Sequence, residues 1–301
     1  MKPPPFTYHD PTSIEEALDL LQHYGGDAKV LAGGQSLMPL LNFRLSYPTA
    51  LVDINRIAAL SYIRHEAGQL WIGALTRQRM IEFSALVRGH LPLLYEATTL
   101  VGHLPIRTRG TIGGSLAHAD PAAEYPAVVT VMEAELVVQG PKGQRILRPE
   151  EFFVGYLTTA LAPDELLVEV RFPISSPTSG WAFTEFARRH GDFAIAGIAA
   201  LLDSDGERCR RARLATAGVG PTPLRLRTAE QILEDEGLTE SSIEAAAVRA
   251  SELVEPDNDI HASAEFRRHL TRVLTRRALR QAKARSQERQ AWESKDRSGS
   301  P

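Results

Sequence analysis

Two short segments combine a glycine pair with hydroxyl side chains in apolar surroundings: Leu31-Ala32-Gly33-Gly34-Gln35-Ser36 and Thr111-Ile112-Gly113-Gly114-Ser115. Glycine has no Cβ, so a glycine pair lets the backbone enter positive φ and approach a ligand closely. Successive N–H groups in such a turn form a concave anion site. A helix beginning at Ser36 would aim the favourable end of its dipole at the same place. The hydroxyls of Ser36, Thr111 and Ser115 add donors. This composition suits the holding of a diphosphate without a dedicated lysine. One Gly-Gly after a strand is most often only a turn; two such loops, each followed by serine, carry more weight, although spacing alone leaves both readings open.

Other signatures are missing. The sequence holds no GxxxxGK[ST] phosphate loop, no GxSxG elbow and no HExxH. Nor does it contain GxGxxG, since Gly218-Val219-Gly220 runs into Pro221-Thr222-Pro223. The nine histidines are scattered. His118 and Asp120 lie close together, but no third ligand accompanies them, so they read as loop residues. No metal site and no catalytic side chain is assigned.

Several elements must position these loops. Ser13-Ile14-Glu15-Glu16 is a capping box opening a helix to about Tyr24, with Ala17, Leu18 and Leu21 on one face. A strand Ala28–Ala32 runs into the first glycine pair, a helix spans Ser36 to Leu45, and a buried strand covers Ala50–Ile54. The first 55 residues therefore read as a β–α–β-like unit. Further on, Leu70–Ala74 is a strand, Thr76 is a candidate cap for a helix Arg77–Phe83, and Leu91-Pro92 opens a helix towards Leu100. Thr111–Ser115 reads as a turn. Val128–Met132 and Glu135–Gln139 are strand-like, and Leu166–Phe172 alternates as a half-buried strand. Pro173–Gly180 is the best linker. Three strands (182–188, 194–202, 211–218) and helices over 227–236 and 242–254 then mark a smaller α+β domain, followed by a basic helix.

Composition sets the class. The 301 residues, 43% hydrophobic and 24% charged, are an ordinary globular chain of about two domains. The single cysteine, Cys209, can form no internal disulfide, cluster or thiolate zinc site, and it suits a reducing, cytoplasmic setting. The longest nearly uncharged stretch, Phe193–Leu202, is half of what a membrane span needs, and MKPPPFTYHD lacks the apolar core of a signal peptide. Net charge is −3, yet Phe266–Arg297 carries eleven Lys/Arg against three Asp/Glu, leaving −11 for the rest. Such a stretch could bind nucleic acid. With no accompanying motif it reads instead as a helix packing Phe266, Leu270, Val273 and Leu274 while its arginines face water. Residues 284–301 read as a disordered tail.

The runs LAGGQSLMPLLNFRLSYPTALVDINRI (31–57) and IRTRGTIGGSLAHADPAAEYPAV (106–128) resemble the FAD-binding medium subunit of molybdenum hydroxylases. That family includes the medium chains of aerobic carbon monoxide dehydrogenase and the flavin domain of xanthine dehydrogenase. Its AGG(H/Q)S and TIGG loops occur here in that order, Gly33 and Gly113 lying 80 residues apart. KPPPFTYHDPTSIEEAL, LAPDELLVEVRFP and FARRHGDFAIAGIAA extend the likeness over nearly the whole chain.

The resemblance implies an α+β fold. A two-subdomain FAD-binding domain of the vanillyl-alcohol oxidase/para-cresol methylhydroxylase type would occupy 1–175, with a small α/β subdomain at 1–57 and a larger antiparallel-sheet subdomain at 58–175. A smaller α+β C-terminal domain at 178–283 would close over the flavin. Ala32, Gly33, Gly34, Gln35 and Ser36, flanked by Lys29, Leu31 and Leu37, would wrap the FAD diphosphate and ribityl with Thr111, Ile112, Gly113, Gly114 and Ser115. Glu124 stands where relatives carry a cofactor-binding acid, often Asp, and Asp120 would do similar work. Leu167 would lie against the flavin ring. Phe193 takes the place of a shielding tyrosine, and Glu185 stands where many relatives have lysine, so no lysine role transfers.

The implied activity is electron transfer. A large molybdopterin subunit would hydroxylate substrate, a small subunit with two 2Fe–2S clusters would pass electrons to FAD on this chain, and an external acceptor would take them. The resemblance thus implies a heterotrimeric unit that dimerises, with no role for nucleic acid or membrane insertion. The alternative is a freestanding FAD-dependent reductase of the same fold, which would need a serine–carboxylate proton donor that is not evident here.

Overall fold

A computed structural model describes residues 2–298. The chain begins with β1 (Thr7–His9), α1 (Ile14–Tyr24), β2 (Ala28–Leu31), α2 (Leu37–Asn42) and β3 (Ala50–Asp53). The three strands form a parallel sheet in the order β1-β3-β2. As the middle strand, β3 buries Ala50, Leu51 and Val52 together, which is why it reads as a continuous apolar run. Ser13 caps α1 by accepting from the Glu16 N–H, while the Glu16 carboxylate reaches back to the Thr12 N–H. The helix expected over 36–45 is shorter. It ends at Asn42, because Arg44 adopts φ 55° and turns the chain.

A second sheet contains β4 (Ile63–Glu66), β5 (Gln69–Gly73), β6 (Glu135–Gly140), β7 (Gly143–Leu147) and β10 (Leu166–Pro173), in the order β4-β5-β10-β6-β7 with every pairing antiparallel. Between β5 and β6 run α3 (Gln78–Phe83), α4 (Ala85–His90), α5 (Pro92–Leu100), α6 (Leu104–Arg109), α7 (Ile112–His118) and α8 (Glu124–Val131). Between β7 and β10 lie α9 (Pro149–Phe152) and a hairpin of β8 (Phe153–Gly155) and β9 (Thr158–Thr159).

Four expectations fail here for physical reasons. Val128–Met132 lies in α8 and its C-cap instead of a strand. All eight α8 residues are buried, so tertiary packing overrides the strand preference of its valines. Residues 111–115 open α7 with Thr111 as its cap and are not a free turn. The strand β10 is buried on both faces: Leu166 and Val168 join the core of the first subdomain, whereas Leu167, Val170 and Phe172 join that of the helices. Its charged Glu169 is buried too, held by the Tyr62 hydroxyl and by Arg171 Nε at 2.6 Å. Thr76 does not cap α3; its hydroxyl donates to the Tyr62 carbonyl at 2.9 Å.

The remainder comprises the antiparallel sheet β11 (Gly180–Phe186), β12 (Ala196–Asp205) and β13 (Arg208–Ala217), then α10 (Arg227–Glu236), α11 (Glu240–Leu253) and α12 (Ala264–Ser298). Its two faces serve different cores. Phe183, Ala199, Leu201 and Ala215 face the α5/α8 side, while Ala182, Ile198, Ala200 and Leu214 face α10–α12.

The basic helix is largely an internal partner. Arg272 and Arg276 pair with Glu244, and Arg280 pairs with Glu240, all across to α11. Such exposed pairs contribute about 0–1 kcal/mol each, whereas each buried leucine on α12 contributes about 1.5–3 kcal/mol. Leu270, Leu274 and Leu279 therefore hold the helix down. Of the expected apolar face, Phe266 remains partly exposed, edge-on to Phe186. The stretch 284–298 is helical and not disordered. Ser286 bonds Ser204 and the Thr178 carbonyl at 2.8 Å each, and Gln290 Nε2 donates to the Ser204 carbonyl at 2.6 Å. Residues 299–301 of the expected tail lie outside the described residues.

Ending the chain at Lys283 removes these bonds and the Arg285 contacts to Glu96 and the Trp181 carbonyl. At about 1 kcal/mol per bond, denaturant unfolding should show a loss of about 2–5 kcal/mol. An unchanged midpoint would mean that the last turns hold nothing.

Candidate functional site

A cleft of about 870 Å³ opens where the first subdomain meets the second, with the loop after β11 at its mouth. Its size is that of a cofactor pocket. Of the residues expected to bind a cofactor, Lys29, Ala32, Gly33, Gly34, Gln35, Ser36, Leu37, Thr111, Gly113, Gly114, Ser115, Asp120, Glu124, Leu167 and Phe193 line it. Leu31 and Ile112 do not. Leu31 packs its side chain towards Gly34, and Ile112 is wholly buried in the core.

The two glycine loops work differently. In the first, Gly34 has φ +73°, and the N–H groups of Gly33 through Leu37 donate to no protein acceptor among the described residues. These amides form a set of free donors on the cleft lining, the arrangement that suits an anion. In the second loop the N–H groups of Ile112 through Ser115 are already used. Ile112 donates to the Thr76 carbonyl at 3.1 Å, Gly113 to the Ala74 carbonyl at 2.9 Å, Gly114 to Thr111 Oγ1 at 3.0 Å and Ser115 to the Thr111 carbonyl at 3.1 Å. The expectation of two equivalent amide nests is thus corrected to one. What the second glycine pair supplies is closeness: a Cβ on Gly113 would lie 2.7 Å from the Ala74 carbonyl oxygen. Positive φ is needed at Gly34 alone among the four. The loops also touch, since a Cβ on Gly33 would meet the Arg109 carbonyl oxygen at 2.5 Å.

One wall of the cleft is acidic. Asp120 folds back to accept from the Ala122 N–H at 2.9 Å, leading the chain into α8. Glu124, the first residue of α8, is buried with 7% exposure. Burial pushes its carboxyl up to about 8, helped by the charge of Glu185. Glu185 on β11 is itself pushed up to about 7 by burial, and its Oε2 has no hydrogen-bond partner. Glu124 is therefore suited to meet a ligand as a protonated carboxyl, a donor at one oxygen and an acceptor at the other. Leu167 enters the cleft beside a β-bulge between Leu167 and Glu169, a device that re-aims side chains. Phe193 is 64% exposed at the mouth, on a loop closed by the Ile195 N–H to Phe186 carbonyl bond at 2.8 Å.

Sequence reasoning missed the wall formed by Leu157–Thr159 and Leu161–Pro163, the hairpin residues before β10. It also missed Asn55 and Arg77, which stand behind both loops. Leu161–Pro163 and Asn55 fall within the runs that carry the resemblance, yet nothing in those runs assigns them to the site, because each becomes adjacent to the cleft only through the fold.

The geometry fits FAD on two counts: free amides for a diphosphate, and glycines where any Cβ would collide. Comparison with known proteins agrees. Residues 4–175 match the family described as FAD binding domain in molybdopterin dehydrogenase, and 181–282 match the CO dehydrogenase flavoprotein C-terminal domain. The chain is 45% identical to 6-hydroxypseudooxynicotine dehydrogenase complex subunit alpha of Paenarthrobacter nicotinovorans, over 98% of this chain and 100% of that protein. It is 43% identical to caffeine dehydrogenase subunit beta of Pseudomonas sp. strain CBB1, over 94% and 96%. Among solved structures, a carbon monoxide dehydrogenase from Hydrogenophaga pseudoflava, in a form lacking the Mo-pyranopterin moiety of the molybdenum cofactor, superposes with TM-score 0.93 at 40% identity, over 95% of this chain and 99% of that one.

Because Glu124 and Glu185 sit above the ordinary carboxyl value of 4.5, folding favours their protonated forms. The contribution of these two groups to the stability of the cofactor-free chain should be full below about pH 4.5 and fall as pH rises to about 8. Glu124→Gln cannot ionise, so its unfolding midpoint should match wild type near about pH 5 and exceed it near about pH 9. Equal decline in both proteins would show that another group titrates.

Proposed function

Because the chain belongs to the family of FAD-binding subunits of molybdopterin dehydrogenases, we propose that it is the electron-transfer subunit linking an iron–sulfur partner to an external acceptor. Its relatives are subunits of oxidoreductases, and it carries an FAD-binding domain. The observation that carries the reading is the run of five unpartnered amides at Gly33–Leu37 facing a cleft of cofactor size.

In this reading those amides and the hydroxyls of Ser36 and Ser115 hold the diphosphate. Gly113 and Gly114 let α7 approach, Glu124 offers a proton-bearing carboxyl to the cofactor's polar groups, and Leu167 and Phe193 bracket the flavin ring and exclude water. No side chain is needed to make or break a bond. Bound FAD supplies the redox chemistry, accepting electrons that arrive from 2Fe–2S clusters and releasing them to NAD, quinone, oxygen or another acceptor.

The clusters and the molybdenum cofactor are assigned to a small and a large partner subunit, in a heterotrimer that dimerises. Cys209, the sole cysteine of the sequence, is buried and can hold no cluster. Relatives at similar identity are named for 6-hydroxypseudooxynicotine and for caffeine, which supports a substrate pocket lying on another chain. Among the described residues no helix is long and apolar enough to cross a membrane. A reducing cytoplasm is the compartment this reading assigns, in keeping with an unpaired thiol.

Purified chain should be yellow and release FAD on acid treatment, and Gly33→Val should lose it, since a branched side chain collides with the Arg109 carbonyl. A Gly33→Val protein with full FAD content would remove the diphosphate from this loop. Phe193→Ala should retain FAD but alter the rate at which oxygen reoxidises it. Identical rates in stopped flow would rule out shielding.

A further inference from the structure

Outside the cleft lining, a series of polar side chains runs behind the glycine loops. The Tyr8 hydroxyl donates to Asp53 Oδ2 at 2.7 Å, and Asp53 Oδ1 accepts from the Asn55 backbone N–H at 2.9 Å and from Asn55 Nδ2 at 2.5 Å. Asn55 Nδ2 also donates to the Ala32 carbonyl at 2.7 Å, while Asn55 Oδ1 accepts from one arm of the Arg77 guanidinium at 2.6 Å. The other arm of Arg77 donates to the Arg109 carbonyl. Ala32 is the residue before Gly33, and the Arg109 carbonyl is the group on which Gly33 sits.

We propose that Asn55 and Arg77 form a clamp that fixes the Ala32–Ser36 loop against the Arg109–Ser115 loop and so sets the opening of the FAD cleft. Two observations lead there. Among the described residues no backbone hydrogen bond joins the first loop to the second, so the Asn55–Arg77 relay is the polar connection between them. On its far side Arg77 belongs to the second loop's framework, paired by a β-bridge to Thr111, with the neighbouring Gln78 N–H donating to the Gly110 carbonyl at 2.9 Å. A guanidinium suits this place because its planar fork can serve two acceptors at once, which an ammonium on a flexible stem does not. The group is half-buried, and that burial draws the Arg77 pKa below its ordinary value while Asp53 opposes the shift. Neither Asn55 nor Arg77 lines the cleft, so both are positioning residues, and replacing them removes no side chain that faces the ligand.

The inference rests on the cleft being the FAD site, and the test separates the two ideas. Full-length chain freed of cofactor is titrated with FAD by flavin fluorescence, for wild type, Asn55→Ala, the milder Asn55→Ser, Arg77→Lys, the Asn55→Ala/Arg77→Lys double variant and Gly33→Val. Melting of each cofactor-free protein is followed in parallel. Loss of these partly buried and exposed hydrogen bonds, each holding one loop to the other, predicts at least about tenfold weaker FAD binding in each single variant. The double variant should be no weaker than the worse single one, because the two residues act in series. The visible circular dichroism of bound FAD should shift, and melting should change little. Arg77→Lys binding as wild type, or additive losses in the double variant, would overturn the clamp. Gly33→Val binding as wild type would instead overturn the site itself.

Discussion

A Cβ on Gly33 would sit 2.5 Å from the Arg109 carbonyl oxygen and 2.8 Å from the Gly110 Cα, so the two subdomains can meet at this point only where a side chain is absent. The rest of the cleft follows from that contact. With the loops pressed together, the amides of Gly33–Leu37 are left without an acceptor among the described residues, at the cleft, while those of Ile112–Ser115 are spent on Ala74, Thr76 and Thr111. One loop thus binds and the other braces. The seam is supported below by a core shared between the subdomains, in which Ala17, Leu21 and Val52 pack with Val137, Leu166 and Val168.

Charge is distributed around the seam with the same asymmetry. Arg77 lies behind the loops with both arms engaged, and its positive charge backs the unpaired amides. Glu124 lies in the opposite wall, where burial and the nearby charge of Glu185 make its ionised form costly. The site therefore suits an elongated ligand with an anionic middle and a neutral, hydrogen-bonding portion, closed at the mouth by Phe193 from the C-terminal sheet. That sheet can reach the cleft because its Phe183/Ala199/Ala215 face is buried against the helices of the preceding subdomain instead of standing free as a separate domain.

Much of this was legible from residues alone. The Ser13 cap, the glycine pair after β2, the strand β6 and the order of strands then helices at the C-terminal end are local patterns, and local patterns survive in one dimension. The failures share a cause. The valines of α8 favour a strand, yet the helix is enclosed between α5 and the β12/β13 pair, and burial on all sides outweighs propensity. Glu169 reads as the solvent side of β10 until Tyr62, in the segment before β4, and Arg171, two residues along β10 itself, bond it. The polar run after Lys283 reads as tail until Ser204, Thr178 and Gly206 supply partners.

By itself, then, the sequence marked two stretches able to approach a ligand closely, because glycine pairs keep their conformational freedom wherever the chain goes, while the family and the cofactor class came from the likeness of whole runs to a known family. Only the tertiary structure decided which loop keeps free amides, which carboxyl is buried enough to hold a proton, and which distant pair, Asn55 and Arg77, ties the loops together. Those properties depend on which groups from other elements arrive within hydrogen-bonding distance, and no spacing along the chain encodes that.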